Sequence, residues 1–459
     1  MNKPRLDLGK RFFNLNPTLA QPPSPVYEEL EDSGHIAGRE QAMSIQDSAK
    51  QSMQLARKLP PELIILVGCM IGVLTFGPRS AIGVFQLPIL QEWGWGSDVF
   101  SYAMAMQYLL WGAGQPFAGA LADKYGSARV LTGGCILYGT GLVLMAYSST
   151  PSSFTITAGV IMGLGLSGCS FNMVIGALMK LVPENMRTIA FGLGTAAGSF
   201  GQFLFSPIAG GMVGGFGWQF TTIAFGIMMF CVIPLTRMVA SAPLDNGLTA
   251  GGQRQQSFRE ALSEAFSHRS YNLLVIGFFT CGFQLAFVTV HFQKYIVEAG
   301  ISPQVGYWAF ALVGLCNIVG SISSGYLSGR FPKRYVLSGI YFSRALVTVM
   351  FIMLPATPFT TYLFGALTGL LWLSTVPPTS SLIGVMFGTR YFSMLYGFAF
   401  FSHQVGGFTA LMLAGWLRES TGSYHAMWLL SIFFGVFSAL VNLPIVEKPV
   451  IRKEGIAPA

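Results

Sequence analysis

The feature that most constrains this chain is a succession of apolar runs, each long enough to cross the ~30 Å hydrocarbon core of a bilayer as a helix. Six runs lie between residues 63 and 240, and six more lie between 272 and 446. They fall near 63–90, 98–121, 129–149, 153–182, 188–214, 217–240, 272–298, 303–328, 335–354, 358–387, 392–417 and 424–446. A lone segment in lipid must satisfy its own backbone hydrogen bonds. We therefore expect an all-α membrane protein with twelve transmembrane helices.

Polar stretches set the predicted domain limits. Residues 1–62 carry eight basic and eight acidic side chains and no apolar run, so we expect a flexible cytosolic tail without a secretory signal. The pattern predicts an N-terminal six-helix bundle over 63–240, a cytosolic central loop over 241–270 and a C-terminal six-helix bundle over 271–447. A short cytosolic tail over 448–459 follows.

Basic side chains orient the predicted helices. If both termini are cytosolic, 23 of the 27 Lys and Arg residues lie on the cytosolic side, two lie opposite, and two lie inside runs. Such a bias marks the cytosolic loops of plasma-membrane proteins. Basic cytosolic loops next to anionic lipid headgroups also account for the net charge of +8, so this charge does not indicate a nucleic-acid partner. With only 10% charged residues, the chain is excluded from the classes of soluble enzymes and disordered proteins.

The two halves of the chain repeat at an offset of about 205 residues. Glycines hold this register: Gly72, Gly192, Gly201, Gly210 and Gly217 correspond to Gly277, Gly397, Gly406, Gly415 and Gly422. The repeat predicts two pseudo-symmetric six-helix bundles with a small-molecule substrate held between them, as in rocker-type transporters. In the same register Arg79 corresponds to Gln284, and we expect both to face one shared cavity.

The segment 119–129 reads Gly-Ala-Leu-Ala-Asp-Lys-Tyr-Gly-Ser-Ala-Arg. It resembles the signature loop of the major facilitator superfamily, and the resemblance extends over about residues 63–447. It implies the major facilitator fold. In that superfamily the loop helps to latch the two halves on the cytosolic side, which implies a gating role for Gly119, Asp123, Lys124, Gly126 and Arg129.

Segments at 77–95, 198–202 and 402–406 resemble bacterial members near the monocarboxylate and oxalate/formate branch of this superfamily. This resemblance implies a protein of the bacterial inner membrane, and we expect a monomer. The branch often carries a substrate-related arginine in its eighth helix, whereas residues 308–328 here contain no basic side chain.

Ionisable side chains within the hydrocarbon are costly, so they are functional candidates by default. Arg79 lies mid-run beside Gly77 and Pro78, and Arg344 lies in the ninth run. Arginine offers a planar fork of donors that suits a carboxylate, so Arg79 is interpreted as the anchor of a substrate anion. A structural arginine that donates to backbone carbonyls is the alternative for both. None of the 19 Asp and Glu residues lies mid-run, which disfavours a cationic substrate.

Polar and aromatic residues on the same helices complete the predicted site, although such residues also serve as contacts between helices. The predicted substrate-binding set is Arg79, Gln107, Trp111, Asn172, Gln202, Gln284, Phe287, Trp372 and Gln404. The candidates for coupling are His291, His403 and Arg344. Histidine is included because its ordinary pKa lies near physiological pH.

Three functions stay open at this stage. The first is a secondary transporter of a small organic anion, expected to be a carboxylate, coupled to protons, to exchange or to neither. The second is an uptake facilitator for a neutral or weakly acidic aromatic nutrient such as a riboflavin-like vitamin. The third is a sensor that retains the fold. Six scattered cysteines and the absence of nucleophile, metal and P-loop motifs predict no enzyme activity, no metal site and no cofactor.

Overall fold

The computed structural model describes residues 59–241, 258–388 and 391–450. In chain order its helices are α1 (Pro61–Ser80), α2 (Gln86–Trp93), α3 (Ser97–Tyr125), α4 (Ser127–Met145), α5 (Pro151–Phe154), α6 (Met162–Cys169), α7 (Phe171–Leu181), α8 (Glu184–Thr236), α9 (Phe258–Ser267), α10 (Arg269–Glu298), α11 (Pro303–Arg330), α12 (Lys333–Met353), α13 (Pro358–Leu371), α14 (Val376–Phe387), α15 (Phe392–Thr421) and α16 (His425–Asn442). Short 3₁₀ segments lie at Ala81–Phe85 and Arg237–Val239, and a π-helix lies at Thr155–Ile161. Nearly all of the predicted N-terminal tail lies outside the described residues, as do 242–257 and 451–459.

Nine helical stretches of the described chain are long and apolar enough to cross a membrane. One of them holds two predicted crossings, because Gly217 (φ 83°) interrupts the 53 residues of α8. The helices α3 and α15 have 29 and 30 residues, which is ample length for a crossing, but they fall outside the nine. The predicted all-helical membrane fold is confirmed, and the count of twelve crossings stays a prediction.

Helix packing follows the sequence repeat. In the first half α1 packs along α8, and in the second half their counterparts α10 and α15 pack along each other. The two halves meet where α3 contacts α15 and where α8 contacts α11. The repeat converts one of these pairs into the other, so the halves are related by pseudo-symmetry. The helix α10 also contacts the 3₁₀ segment Ala81–Phe85 across this interface.

Two of the helical crossings are interrupted near the interface. Pro78 lies inside α1, and the helix gives way to the 3₁₀ segment three residues later. In the second half, residues 372–375 separate α13 from α14, just before Pro377 and Pro378. Proline has no backbone N–H and its ring clashes with the preceding turn, so such sites interrupt a helix. Both interruptions bring irregular backbone to the middle of the molecule.

Candidate functional site

A cavity of about 70 Å³ lies where the two halves meet. A water molecule needs about 10–15 Å³ of such space, so there is room for about five waters or a ligand of similar size. The first half lines it with Phe76, Arg79, Ser80, Tyr108, Trp111 and Gln202. The second half lines it with Phe278, Leu285, Thr289, Phe310, Trp372, Leu373, Val376, Tyr396, Phe400, His403 and Gln404.

Arg79 places a positive charge in this cavity. The residue is only 3% exposed, and its guanidinium carbon lies 4.5 Å from the ring centre of Tyr108 and 5.7 Å from that of Trp111. Among the described residues, no hydrogen-bond acceptor or carboxylate pairs with it, and its buried Nε has no partner. Burying a charge costs several kcal/mol, whereas cation–π contacts with aromatic faces contribute only about 1–2 kcal/mol of stabilisation. The charge of Arg79 is therefore available to an anion.

Two further donors in the wall of the cavity are also unpaired. The indole Nε1 of Trp111 and the amide Nε2 of Gln202 are buried, and neither has a hydrogen-bond partner among the described residues. An unsatisfied buried donor costs about 1–3 kcal/mol. No Asp or Glu is found among the described residues that line the cavity. The wall is thus rich in donors and suits a ligand that supplies negatively charged acceptors.

The histidine and glutamine of α15 form a second polar patch in the wall. His403 Nδ1 lies 3.0 Å from Gln404 Oε1, and the His403 ring stacks on Phe400 with 5.6 Å between ring centres. Gln404 Nε2 donates to the backbone oxygen of Tyr108 at 3.4 Å. Gln404 therefore connects α15 to α3 of the other half, next to Arg79.

Arg344 differs from Arg79 in having partners. Its Nε and Nη2 donate to the backbone oxygen of Leu371 at 3.0 and 2.6 Å, and Nη2 also donates to the backbone oxygen of Trp372. These carbonyls belong to the C-terminal end of α13, where backbone oxygens lack helical partners and carry partial negative charge. Arg344 does not line the cavity. Arg344 therefore matches the alternative interpretation, that of a structural arginine that donates to backbone carbonyls.

Three predicted binding residues lie away from the cavity. Gln284, which was predicted to share the cavity with Arg79, does not line it, and its Nε2 donates to the backbone oxygen of Ser431 at 2.8 Å. Gln107 turns toward the first-half core and donates to the backbone oxygen of Ala158 at 2.7 Å. Phe287 packs against Trp428 with 4.8 Å between ring centres. In each case a neighbour in the same half captures the side chain.

A profile described as the Major Facilitator Superfamily matches residues 68–411 and 292–458. The chain belongs to the major facilitator superfamily. This transporter is 25% identical over 385 residues to an uncharacterized MFS-type transporter, YcxA, of Bacillus subtilis, a match that covers 82% of this chain and 93% of that protein. It is 22% identical over 418 residues to monocarboxylate transporter 12 of Mus musculus, covering 82% of this chain and 84% of the relative.

Solved structures share the fold of this transporter. An inward-facing bacterial homologue of the human lysosomal transporter Spinster superposes with a TM-score of 0.66 at 13% identity, covering 84% of this chain and 96% of the other. A D-xylose-proton symporter superposes with a TM-score of 0.63 at 15% identity, covering 83% and 97%. Fold and relatives are those of membrane transporters and not of enzymes.

A network of hydrogen bonds joins the halves of the transporter at one end, which we name the closed end and which comprises residues 83–101, 289–298 and 415–424. There the backbone N–H of Ser97 donates to Glu419 Oε1 at 2.6 Å, and Lys294 donates to Ser97 Oγ. His291 lies in this network and not in the cavity: its ring nitrogens lie 3.2 Å from Gln86 Nε2, 3.2 Å from Ser101 Oγ and 3.0 Å from the Tyr424 hydroxyl.

Behind this network Arg418 pairs with Glu298, with Nη2 and Oε1 2.9 Å apart. Hydrogen bonds from Arg418 to Glu298 raise the pKa of the arginine above its usual value. Lys294 lies 3.7 Å from the same carboxylate. Both basic side chains of the closed end thus have a carboxylate partner, which distinguishes them from Arg79.

The signature loop of the transporter lies at the junction of α3 and α4. Gly126 takes a φ of 89°, which a residue with a side chain rarely adopts, and its N–H donates to the Ala122 oxygen at 2.9 Å. A side chain added at Gly119 would meet nothing within 4 Å, and Lys124 lies over the Tyr125 ring. Arg129 belongs to α4. The side chains of Asp123 and Asn172 lie outside the described part of the structure.

Sequence reasoning missed most of the aromatic wall, including Tyr108, Phe278, Phe310, Tyr396 and Phe400. Tyr108 could have been predicted from the sequence, because it precedes Trp111 by three residues and therefore lies on the same face of the helix. The phenylalanines had none, because the chain holds 38 of them and most face lipid or other helices.

Proposed function

We propose that this protein is a secondary transporter that moves a small organic anion, specifically a carboxylate, by alternating access. The observation that carries the proposal is the unpaired Arg79 in the cavity between the halves. A carboxylate would accept two hydrogen bonds from the guanidinium fork and neutralise its charge. The indole of Trp111 and the amide of Gln202 would add donors to the same anion.

The size of the cavity supports a small ligand. About 70 Å³ accommodates a handful of non-hydrogen atoms, as in a short monocarboxylate. The likeness to proteins named monocarboxylate transporters supports the same class. The contacts at the closed end support alternating access, because they would have to break for the site to open on that side.

A planar aromatic nutrient is the second candidate. It is favoured by the ring-lined wall, in which Trp111, Phe278, Phe310 and Trp372 offer stacking faces. A neutral ligand of this kind would leave the charge of Arg79 unpaired, and a fused three-ring molecule exceeds the space in this conformation. A charge-dependent binding experiment separates the two candidates.

The test is thermal stabilisation of the purified protein by acetate, propionate, butyrate, lactate and pyruvate, each beside its uncharged amide. A ligand at 100 times its Kd stabilises the folded protein by about 2.7 kcal/mol. We expect the acids, and not the amides, to raise Tm. Equal stabilisation by acids and amides would favour the neutral nutrient.

Arg79→Gln should abolish this stabilisation. Removing one partner of a buried charge pair costs about 2–5 kcal/mol, so Kd should rise about 30-fold or more. Arg79→Lys keeps the charge but loses the fork, and an intermediate Kd is expected. If Arg79→Gln binds the acids as tightly as the wild-type protein, Arg79 does not anchor the substrate carboxylate.

A second pair of variants tests the placement of the amides. Gln202→Ala should weaken binding, because Gln202 lines the cavity with an unpaired amide. Gln107→Ala is the matched control, since Gln107 is equally buried but bonded to Ala158. Equal effects of the two variants on Kd would contradict this assignment.

The coupling of transport has three alternatives, namely proton symport, exchange and uniport. His403 is the histidine that lines the cavity, whereas His291 belongs to the closed end. Acid uptake into proteoliposomes with and without a proton gradient distinguishes symport from the other two modes. Loss of the gradient effect in His403→Gln, but not in His291→Gln, would assign the proton to His403.

We further propose the placement in the bacterial inner membrane with both termini cytosolic, as a monomer, with domain limits at 63–240 and 271–447. The bias of basic residues supports the orientation. The loop from Gly119 to Arg129 would then latch the cytosolic side. Labelling of single introduced cysteines by a membrane-impermeant maleimide, at residues 20 and 455 against residues 94 and 422, tests the orientation.

A further inference from the structure

The wall of the cavity is divided by chemistry. Its charged and hydrogen-bonding side chains come mainly from α1, α3, α8 and α15. The side chains supplied by α11, by the interruption at 372–375 and by the first residue of α14 are uncharged and mainly apolar, and we name them the apolar part: Phe310, Trp372, Leu373 and Val376. When the carboxylate group of a substrate binds at Arg79, the rest of the substrate would therefore be enclosed by this apolar part.

Trp372 is the largest member of the apolar part. It is 4% exposed and stands edge-on to Phe310, with 6.0 Å between ring centres and 90° between ring planes. Edge-to-face pairs at this distance are favourable and fix the orientation of both rings. The pair presents two rigid rings to the cavity instead of flexible chains.

The backbone N–H of Trp372 ends α13 by donating to the Gly369 oxygen at 3.0 Å, and side chains bind the next backbone groups. Arg344 donates to the backbone oxygens of Leu371 and Trp372. Asn317 Oδ1 accepts from the backbone N–H of Leu373 at 2.9 Å. Buried backbone groups outside regular structure need such partners. Arg344 and Asn317 thus fix the position of Trp372 from behind the wall.

This support also reaches the other half of the transporter. Asn317 Nδ2 donates to Ser199 Oγ on α8 at 2.8 Å. The interrupted segment, α11 and the first half are therefore connected through one amide. The position of Trp372 is set relative to the half that carries Arg79.

We propose that Trp372, positioned by Arg344, limits the length of the apolar tail that a carboxylate substrate can carry. This proposal rests on the proposed function, because it assumes a carboxylate at Arg79. The tail would extend toward Phe310 and Trp372 until it meets the indole. The substrate class is then the short, unbranched monocarboxylates, and a second carboxylate at the tail end would find no cation in the apolar part.

The test is competition by unbranched saturated monocarboxylates from two to eight carbons for binding of the best short acid. Each buried methylene should improve affinity about fourfold, up to the length at which the tail meets Trp372, after which affinity should fall. In Trp372→Ala the improvement should continue for at least two further methylenes. An unchanged optimum in a folded Trp372→Ala protein would overturn the proposal.

Trp428→Ala is the matched control, since Trp428 is equally buried but packs on Phe287 away from the cavity. It should leave the optimum where it is. If Trp372→Ala fails to fold, Trp372→Phe provides the same readout with a smaller gain in length. A shift of the optimum by Trp428→Ala equal to that of Trp372→Ala would also overturn the proposal.

The positioning role of Arg344 has its own readout. Arg344→Gln should lengthen the optimum in the same direction, and Arg344→Lys should restore it in part because the ammonium still reaches a carbonyl. In the double variant with Trp372→Ala the length optimum should equal that of Trp372→Ala alone, since coupled residues are not additive. An equal loss of affinity for every chain length in Arg344→Gln would reduce Arg344 to a merely structural residue.

These outcomes are separable from the proposed function. If no acid in the series binds to the wild-type protein, the carboxylate assignment itself fails. If the acids bind and depend on Arg79, but the length optimum ignores Trp372, only the present proposal fails. Succinate and glutarate as competitors add a second arm: binding equal to that of butyrate would contradict an apolar tail site.

Discussion

Replacing Gly83 by alanine should prevent the closed end from closing fully. Gly83 lies in the 3₁₀ segment of the first half, against the backbone of α10 in the second half. A Cβ added there would lie 2.4 Å from the backbone oxygen of Thr289 and 3.0 Å from that of Val290. Ordinary contact needs about 1 Å more than the shorter distance. A backbone carbonyl inside a helix cannot rotate away, so the halves themselves must separate.

The magnitude follows from the cost of overpacking. An added methyl group in a well-packed contact costs about 1–3 kcal/mol. The cost applies only to the state in which the two halves touch at this end, because opening removes Thr289 from Gly83. The ratio of closed to open molecules should therefore fall about 5- to 150-fold.

The assay is the distance between spin labels on Gln91 and Ser420, which are exposed on the two halves at the closed end. In Gly83→Ala the distance distribution should shift toward longer separations. Gly211→Ala is the matched control, because a Cβ at Gly211 would meet nothing within 4 Å. If the distribution in folded Gly83→Ala matches both wild type and Gly211→Ala, Gly83 does not limit the approach of the two halves.

Three further predictions address the donors, the closed end and the tail. Trp111→Phe keeps an aromatic face for Arg79 but loses the indole donor. Because a hydrogen bond to a charged group contributes about 1.5–3 kcal/mol, the Kd for a short carboxylate should rise about 10-fold or more. Trp218→Phe is the control: it loses an indole that donates to Glu92 outside the cavity, and it should leave the Kd unchanged. Glu419→Gln removes a negative charge at the N-terminus of α3, where such a charge contributes up to ~2 kcal/mol in a partly buried setting. The ratio of closed to open molecules, measured with the same spin labels, should therefore fall by up to about 30-fold. Glu92→Gln, which changes a carboxylate bonded within the first half, should leave this ratio unchanged. Deletion of residues 1–58 should leave transport by proteoliposomes unchanged, and loss of transport in a folded, inserted protein would revive the sensor hypothesis.

Two buried glutamines show how much of the site helical periodicity can predict. Gln202 and Gln284 both lie on helical faces that the sequence marks as polar. Gln202 faces the cavity with a free amide, whereas Gln284 bonds to Ser431 and to Arg344. Helical periodicity gives the side of the helix on which a residue lies, but it does not identify the neighbour that side meets. A buried polar side chain fits either a cavity or a packing contact.

The two buried arginines illustrate the same limit. The sequence identified Arg79 and Arg344 as exceptional because a charge inside an apolar run is costly wherever the helix lies. Only the tertiary structure distinguished them, because a partner is a property of the neighbouring helix. Arg344 meets the carbonyls at the end of α13, whereas within the described part of the chain Arg79 meets aromatic faces and no hydrogen-bond acceptor.

The helical membrane class, the repeat of two similar halves and the presence of two cations inside apolar runs follow from the amino-acid sequence alone. These are properties of run length, register and composition, and each can be read along one dimension because the bilayer fixes the length of a crossing. The tertiary structure decided which side chains share the cavity, that the interruption at 372–375 brings Trp372 into its wall, and that His291 belongs to the closed end. Those facts depend on the rotation of each helix and on contacts between residues that are far apart in the chain, and no local pattern encodes them.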